Sequence, residues 1–477
     1  MADDRQQVLA RAAELAIEYL ESLPEREVRV DHDVAALRER LIVPLPEDGE
    51  LPLQVIEALA RDADPGIVAM AGPRYFGFVI GGSLPAALAA DWLTSTWDQN
   101  AGLYVAGPAA AVVEEAVGEW LIDLFGLPAA TSFGLTTGCQ MAHVTCLAAA
   151  RHAVLERRGW DVESRGLFGA PEIQVVIGAE AHSTLLAALQ YLGLGRDRVR
   201  IVPTDDQGRV QLEDLARELR SVDPSQPLIV CLQAGNVNTG SFDPIREAVG
   251  LARGHEGAWV HVDGAFGMWA RVSPRLEHLL DGVELADSWA TDAHKWLNVP
   301  YDSGIALVAH PKAHAAAMSP PHATYLQYGG QERDEMNWVP EFSRRARGFA
   351  AYAALRSLGR SGIRALVEGC CDHARAIADR LSAEDGIRVL NDVVLNQVLV
   401  RFDAEDGDAT ASDALTRQVI VQVQEDARIW LSGTTWHGMA AMRISVSNWS
   451  TTAEDAQVAA DAIIDAARRV APSPQAA

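Results

Sequence analysis

Between residues 173 and 310 the chain alternates short β-rich runs with helical ones, and no other feature narrows the fold so far. The runs are IQVVIG (173–178), VRIVP (199–203), LIVCLQ (228–233), AWVHVD (258–263), DSWATD (287–292) and GIALVAH (304–310). Amphipathic stretches lie between several of them, for example TLLAALQYLG at 184–193 and LEDLARELRS at 212–221. Such alternation predicts an α/β fold, a mostly parallel central sheet with helices on both faces. Residues 5–22 place Val8, Leu9, Ala12, Leu15, Ala16 and Tyr19 on one stripe, which predicts an N-terminal amphipathic helix. A Pro-rich connector follows at 41–52, then Ala-rich helical spacing over 85–125. Beyond 345 the chain reads as helices, strand-like segments at 388–402 and 442–448, a helix near 411–428 and a last helix from 452. We therefore expect an N-terminal helical segment (1–70), a large α/β domain (71–345) and a small C-terminal α+β domain (346–477).

Charge and cysteine usage remove several functions. The formal net charge is −25, so the surface repels phosphate backbones and anionic lipids, and neither nucleic acid nor a membrane is expected as a partner. No apolar run approaches the roughly 20 residues that span a bilayer. The opening MADDRQQ is unlike a secretory leader. Five cysteines, an odd number without metal-ligand spacing, point to a reduced cytoplasmic compartment. No metal is expected.

Among 40 basic residues only Lys295 and Lys312 are lysines, so 38 are arginines. A coding bias that replaces Lys by Arg wherever a positive charge suffices leaves open why these two remain. Arginine cannot serve as a nucleophilic amine, because its guanidinium stays protonated. Lys312, in HPKAHA, reads as a turn residue. Lys295, in ADSWATDAHKWLNVPYDSG, lies among apolar and aromatic residues, where burial lowers an amine's pKa and an imine with a carbonyl can form.

In open α/β sheets ligands bind beyond the carboxyl ends of the strands. Four groups fall near such ends. LTTGCQMAH (135–143) leads into a helix whose start can hold a phosphate. His182 follows the run IQVVIG, Asp263 closes AWVHVD, and Lys295 follows DSWATD with His294 beside it. Singly, each has an ordinary explanation as a cap, a turn residue or a satisfied polar group. Together, a phosphate cradle, an imidazole, a buried acid and a buried amine suit pyridoxal 5'-phosphate. The amine forms the imine, and the acid keeps the pyridine nitrogen protonated as part of an electron sink.

At these residues the chain resembles the group II pyridoxal-phosphate-dependent amino-acid decarboxylases, relatives of the aromatic-L-amino-acid and glutamate decarboxylases, with the fold-type-I architecture. The likeness runs over roughly 60–450 and is strongest in PRYFGFVIGGSLPA (73–86), LTTGCQMAHVTCLAAAR (135–151), AHSTLLAALQYLG (181–193), AGNVNTGSFDPI (234–245), HVDGAFG (261–267) and TDAHKW (291–296). The resemblance implies that Lys295 holds the cofactor as a Schiff base and that Asp263 pairs with its ring nitrogen. It places Ala265 and His182 on opposite ring faces. Gly138, Cys139 and Gln140 fall where relatives bind phosphate; Cys139 and Gln140 depart from the family's small and hydroxyl residues, so backbone N–H groups would carry the contact. His294 would sit near the phosphate and Asn236 near a cofactor oxygen. The implied assembly is a homodimer in which the N-terminal helices wrap the partner.

Two features leave the reaction open. Decarboxylating relatives carry a loop tyrosine before a Trp-x-Pro-like segment; here GGQERDEMNWVPEF (329–342) has none in its loop portion, with Tyr325 and Tyr328 nearby. Without that proton donor the product could be an aldehyde. Arg443, in MRISVSNW, lies where fold-type-I aminotransferases hold the substrate carboxylate. We expect it instead to be structural, paired with an acid of the small domain. Phe78, Val79, Trp97 and Tyr104 fall in segments that line the pocket in relatives and suggest an apolar or aromatic substrate side chain. The leading reading is thus an L-amino-acid decarboxylase. An aldehyde synthase or aminotransferase is the first alternative, and a catalytically silent cofactor-binding scaffold the second.

Overall fold

The computed structural model describes residues 4–30, 33–320, 332–404 and 407–470. The chain begins with α1 (Arg5–Ser22), α2 (Val34–Leu41) and α3 (Pro52–Ala63), packed on one another through α3. None of the three has a fully buried residue, so the stripe predicted on α1 is only partly covered within this chain. Next come α4 (Pro85–Trp97) and α5 (Pro108–Phe125). Each opens on proline, whose missing N–H would have lacked an intrahelical acceptor anyway.

The large sheet is built from β1 (Ser132–Thr136), β2 (Gln174–Gly178), β3 (Arg200–Val202), β4 (Leu228–Gln233), β5 (Trp259–Asp263), β6 (Ser288–Asp292) and β7 (Gly304–Val308). Its order is β1-β7-β6-β5-β4-β2-β3. The five strands from β3 to β6 are parallel; β7 runs antiparallel between β6 and β1. Between and after the strands run α6 (Cys139–Glu156), α7 (Val162–Arg165), α8 (Ser183–Tyr191), α9 (Leu212–Ser221), α10 (Ile245–Ala252) and α11 (Pro311–Met318). Alternate strand residues face two different cores. Val175, Ile177, Ile229 and Cys231 pack under α6 and α8, whereas Val176, Val230, Val260 and Val262 pack with α5 and α10 on the other face. Covering both faces is what makes these strands read as continuous apolar runs.

β1, with the sequence SFGLT, is not among the predicted runs. It owes its conformation to pairing with β7, from Ser132 opposite Val308 to Thr136 opposite Gly304. That pairing brings the turn before α6 to the same sheet edge as the ends of β5 and β6. The approach is close: a Cβ on Gly304 would collide with the Gly138 backbone.

The C-terminal part has α12 (Gly348–Ser382), interrupted at Gly359 (φ 59), then β8 (Ile387–Val389), β9 (Gln397–Phe402), α13 (Ala409–Glu425), β10 (Ser432–Trp436), β11 (Met439–Ser445) and α14 (Ala453–Val470). Its antiparallel sheet has the order β10-β11-β9-β8. Among the described residues no helix is long and apolar enough to cross a membrane. All five cysteines are free and buried.

Candidate active site

Lys295 stands three residues past the end of β6. Its Nζ lies 3.0 Å from Asp292 Oδ2, while Asp292 Oδ1 accepts the Cys139 N–H at 2.6 Å. Asp292 therefore joins the amine to the first turn of α6. Burial pushes the amine's pKa down, but the charge of Asp292, with smaller contributions from Cys139 and Asp263, outweighs burial, and the group ends above the ordinary lysine value. The expected lowering is thus reversed: the pocket supplies its own counter-ion. The turn is held from two sides. A Cβ on Gly81 would collide with the Lys295 carbonyl, so the segment 75–84 passes directly over it. Asn298, left-handed at φ 55, uses its whole amide: Oδ1 accepts from Gly82 and Trp449, and Nδ2 donates to the carbonyls of Trp296 and Ser447.

Asp263 ends β5, one strand over. Its Oδ1 accepts the Ala265 N–H at 3.1 Å, and His143 Nε2 lies 3.5 Å from Oδ2. Burial raises the carboxyl's pKa, but His143 first, then His182 and Lys295, pull it well below the ordinary range, so the group is ionised. Ala265 in turn is pinned to β6, its carbonyl accepting from the Asp292 N–H at 2.9 Å. His182 caps α8, its Nδ1 accepting the Thr184 N–H at 3.3 Å. The Thr184 hydroxyl lies 2.7 Å from the same Nδ1, and with both Thr184 groups donating there the proton is assigned to Nε2. Burial lowers its pKa, against the attraction of Asp263 and with Lys295, His143 and Arg443 adding to the lowering.

Arg443, on β11 and 8% exposed, has a buried Nε with no hydrogen-bond partner. No acid pairs with it among the described residues, and burial alone lowers its pKa. Among the described residues the C-terminal part thus does not provide the expected acid, and Arg443 is a buried cation without a counter-ion there, near enough to His182 to lower its pKa.

The remaining expected contacts divide. Gly138 is the extended N-cap of α6, and the N–H groups of Gln140 and Met141 lie outside the helix ladder, which begins at Ala142. The Cys139 N–H is already taken by Asp292, and the Gln140 side chain reaches across to Tyr191 at 3.3 Å. His294 Nδ1 accepts from Ser303, Nε2 is 3.5 Å from Asp292, and the ring stacks on Tyr301 at 4.3 Å. Asn236 is turned into its own loop, bonded to Gln233, Asn238 and Thr239.

Phe78 and Val79 are both left-handed (φ 54 and 58), next to the Gly81–Lys295 crossing; Phe78 is 55% exposed, Val79 1%. For a β-branched residue that conformation is strained, a condition that collects at functional sites. Phe78 and Tyr75 both contact the Trp430 ring. Trp97 instead packs edge-on against Phe349 of α12, and the Tyr104 N–H donates to Asp334. Neither contact brings them to Lys295. Tyr325 and Tyr328 lie outside the described residues.

Three residues at the centre of this geometry do not stand out in the sequence: Asp292, His143 and His261. A signal for His261 does exist. In WVHVD, period-2 alternation puts Trp259, His261 and Asp263 on one face, two polar residues in an otherwise apolar strand. Cys139 Sγ, His143 Nε2 and the Asp263 carboxylate lie within 4.8 Å of one another, and the Cys139–His143 hydrogen bond at 3.5 Å accounts for part of that closeness.

The donor set fits pyridoxal phosphate. It offers a primary amine at one strand end, an ionised acid at the next, a neutral imidazole, free helix-start N–H groups and, in Arg443, a buried cation without an acid among the described residues. Comparison with known proteins agrees. A family model described as the pyridoxal-dependent decarboxylase conserved domain matches residues 36–403. The chain is 26% identical over 389 residues to an aromatic-L-amino-acid decarboxylase of Bacillus atrophaeus, covering 80% of this chain and 77% of that one. It is 25% identical over 363 residues to a phenylacetaldehyde synthase of Petunia hybrida, covering 72% and 70%. The crystal structure of Oryza sativa TDC with PLP and tryptamine superposes with a TM-score of 0.91 at 23% identity over 99% of both chains.

Proposed function

The chain belongs to the pyridoxal-dependent decarboxylase family, and from that premise we propose that it removes the carboxylate of an L-amino acid with an apolar or aromatic side chain, yielding the amine and CO2. The observation that carries this reading is the buried Lys295 amine set beside ionised Asp263 at adjacent strand ends. When bound, pyridoxal phosphate supplies an aldehyde for the amine and a ring that delocalises the electrons left at Cα. The protein's own groups do the rest. Asp292 holds the Lys295 ammonium in place and takes up its charge. Asp263, fixed by the Ala265 N–H, offers an anion to the protonated ring nitrogen. His182, with Nδ1 engaged by Thr184, presents an N–H to the pocket and cannot act as an acid at neutral pH without first being protonated. The N–H groups of Gln140 and Met141, with Gly138 and His294, form the phosphate seat. Phe78 and Val79 shape the side-chain pocket, with Trp97 and Tyr104 further out.

Arg443 supports a second reading. A buried cation without a partner is a seat for a substrate carboxylate, and a carboxylate clamped there is protected from loss, which favours cleavage of the Cα–H bond as in an aminotransferase. Likeness to an aldehyde synthase adds a third outcome, oxidative deamination after CO2 loss. Incubating the holoenzyme with a panel of amino acids, with and without a keto acid, separates them. CO2 and amine support the first reading. Keto-acid-dependent turnover without CO2, or ammonia and peroxide with an aldehyde, replaces it.

A homodimer fits the exposed apolar side chains of the first three helices, Leu9, Ile17, Leu41, Val55 and Leu59 among them, which a second copy would cover. The division at 70 and 345 follows the same logic: a dimerising segment, a cofactor domain and a small domain carrying Arg443.

A further inference from the structure

Behind Asp263 lies a line of polar groups that no step above uses. Trp259 Nε1 donates to Ser288 Oγ at 2.9 Å, Ser288 Oγ is 2.9 Å from His261 Nδ1, and His261 Nε2 is 2.9 Å from His143 Nδ1. His143 Nε2 then faces Asp263 Oδ2 at 3.5 Å. All five residues are buried. Strand alternation puts Trp259, His261 and Asp263 on one face of β5. The sheet register sets Ser288 opposite His261, and α6 lays His143 over them.

The ends of this line determine its direction. An indole N–H can only donate, and an ionised carboxylate can only accept. If each interior group donates once and accepts once, Ser288 O–H points to His261 Nδ1, His261 Nε2–H to His143 Nδ1, and His143 Nε2–H to Asp263. The opposite polarity, started by the Cys139 thiol 3.5 Å from His143 Nε2, aims an imidazole lone pair at the carboxylate and leaves the Ser288 hydroxyl proton without an acceptor.

We propose that His143 is a positioning residue for Asp263, locked as the Nε2–H tautomer by the Trp259–Ser288–His261 line, so that its N–H holds the carboxylate ionised and aimed at the cofactor's ring nitrogen. The inference rests on the reading of Asp263 given above. The deep face of the sheet thereby acts on the pocket, because the tautomer chosen at Ser288 is transmitted through two rings to the acid.

Imidazole nitrogen NMR of the histidine-labelled apoprotein tests the line without any turnover. Both His143 and His261 are expected to carry the proton on Nε2, and protonation of either on Nδ1 overturns the proposal. Ser288→Ala, a small change far from the pocket, is expected to let His261 and His143 populate both tautomers; tautomers unchanged from wild type overturn the transmission. Absorbance titration of the apoprotein with pyridoxal phosphate tests the consequence. His143→Leu should weaken binding by about 10- to 100-fold, and His143→Gln, whose Nε2 can still donate to Asp263, should recover most of it. Equal loss in the two variants, or none in either, counts against the role. Asp263→Asn in the same titration separates the layers: if it leaves affinity unchanged, the assignment of Asp263 fails even where the tautomers are as expected.

Discussion

Two largely desolvated cations, one just past a strand of the large sheet and one on a strand of the small sheet, are treated oppositely by the chain. Lys295, just past the end of β6, has an aspartate 3.0 Å from its Nζ. Arg443, on β11 of the small sheet, has no acid among the described residues and an Nε with no partner. Isolated buried charges are costly, so natural cores pair them or hydrogen-bond them. A pairing made within the chain marks a charge the resting protein must tolerate by itself. One left unmade is a charge that an incoming anion would compensate. On the reading proposed for the site, the large sheet would carry the permanent pair and the small sheet a cation left for an incoming anion.

Removing the permanent half should cost most. Lys295→Ala is expected to abolish both turnover and the visible absorbance of bound cofactor, and retained activity would reject Lys295 as the attachment point. Asp263→Ala should lower kcat by several orders of magnitude, because without the anion the ring nitrogen loses its proton and the electron sink weakens; a loss under about tenfold would contradict that pairing. Arg443→Met makes the comparison sharper, since function and stability should move apart. If Arg443 seats the substrate carboxylate, as the aminotransferase reading requires, its loss should lower kcat/KM by about 10- to 100-fold, mostly through KM; if the carboxylate is instead lost as CO2, kcat/KM should hold. The melting temperature should hold or rise, because a desolvated, unpartnered charge has been removed. A fall in stability would show that Arg443 has a structural partner after all.

The sequence reveals the frame of this site better than its electrostatics. Apolar runs locate β2 to β7 to within a residue or two, since burial on both faces leaves an uninterrupted signal in all but the edge strand β3, whose Ile201 is exposed. β1 and β10, SFGLT and SGTTW, carry no such signal, and only pairing with their neighbours makes them strands. Lys295, Asp263 and His182 stand out because each lies at or just past the end of a readable strand. Asp292 lies within two readable motifs and still does not stand out, since a last strand residue reads as an ordinary turn former; its role depends on the Cys139 N–H, 153 positions away. The pKa of Lys295 departs from the expected direction for the same reason. Burial is visible in a run of apolar letters, whereas a counter-ion is visible only once the turn is folded. Arg443 departs in the opposite sense, because the absence of a partner cannot be read from one strand.

Asp292→Asn probes the paired cation with the smallest expected effect, and its sign depends on pH. The folded pKa of Lys295 is raised above that of an unfolded lysine, despite burial, chiefly by Asp292. A raised basic group contributes stability that is full below the unfolded lysine pKa and is lost as pH rises through the folded value. Asn keeps an acceptor for the Cys139 N–H but not the charge, so the apoprotein should lose about 1–3 kcal/mol at neutral pH. That deficit should shrink as the solution is made strongly alkaline, where the wild-type amine also gives up its proton. Cofactor uptake should move the other way. Attack on an aldehyde needs the neutral amine, and removing Asp292 enlarges the neutral fraction at pH 7, so the apo variant should take up pyridoxal phosphate several-fold faster than wild type. Slower uptake with unchanged stability would mean that Asp292 serves the start of α6 rather than the amine, and the contrast with Arg443 would then lose one of its two sides.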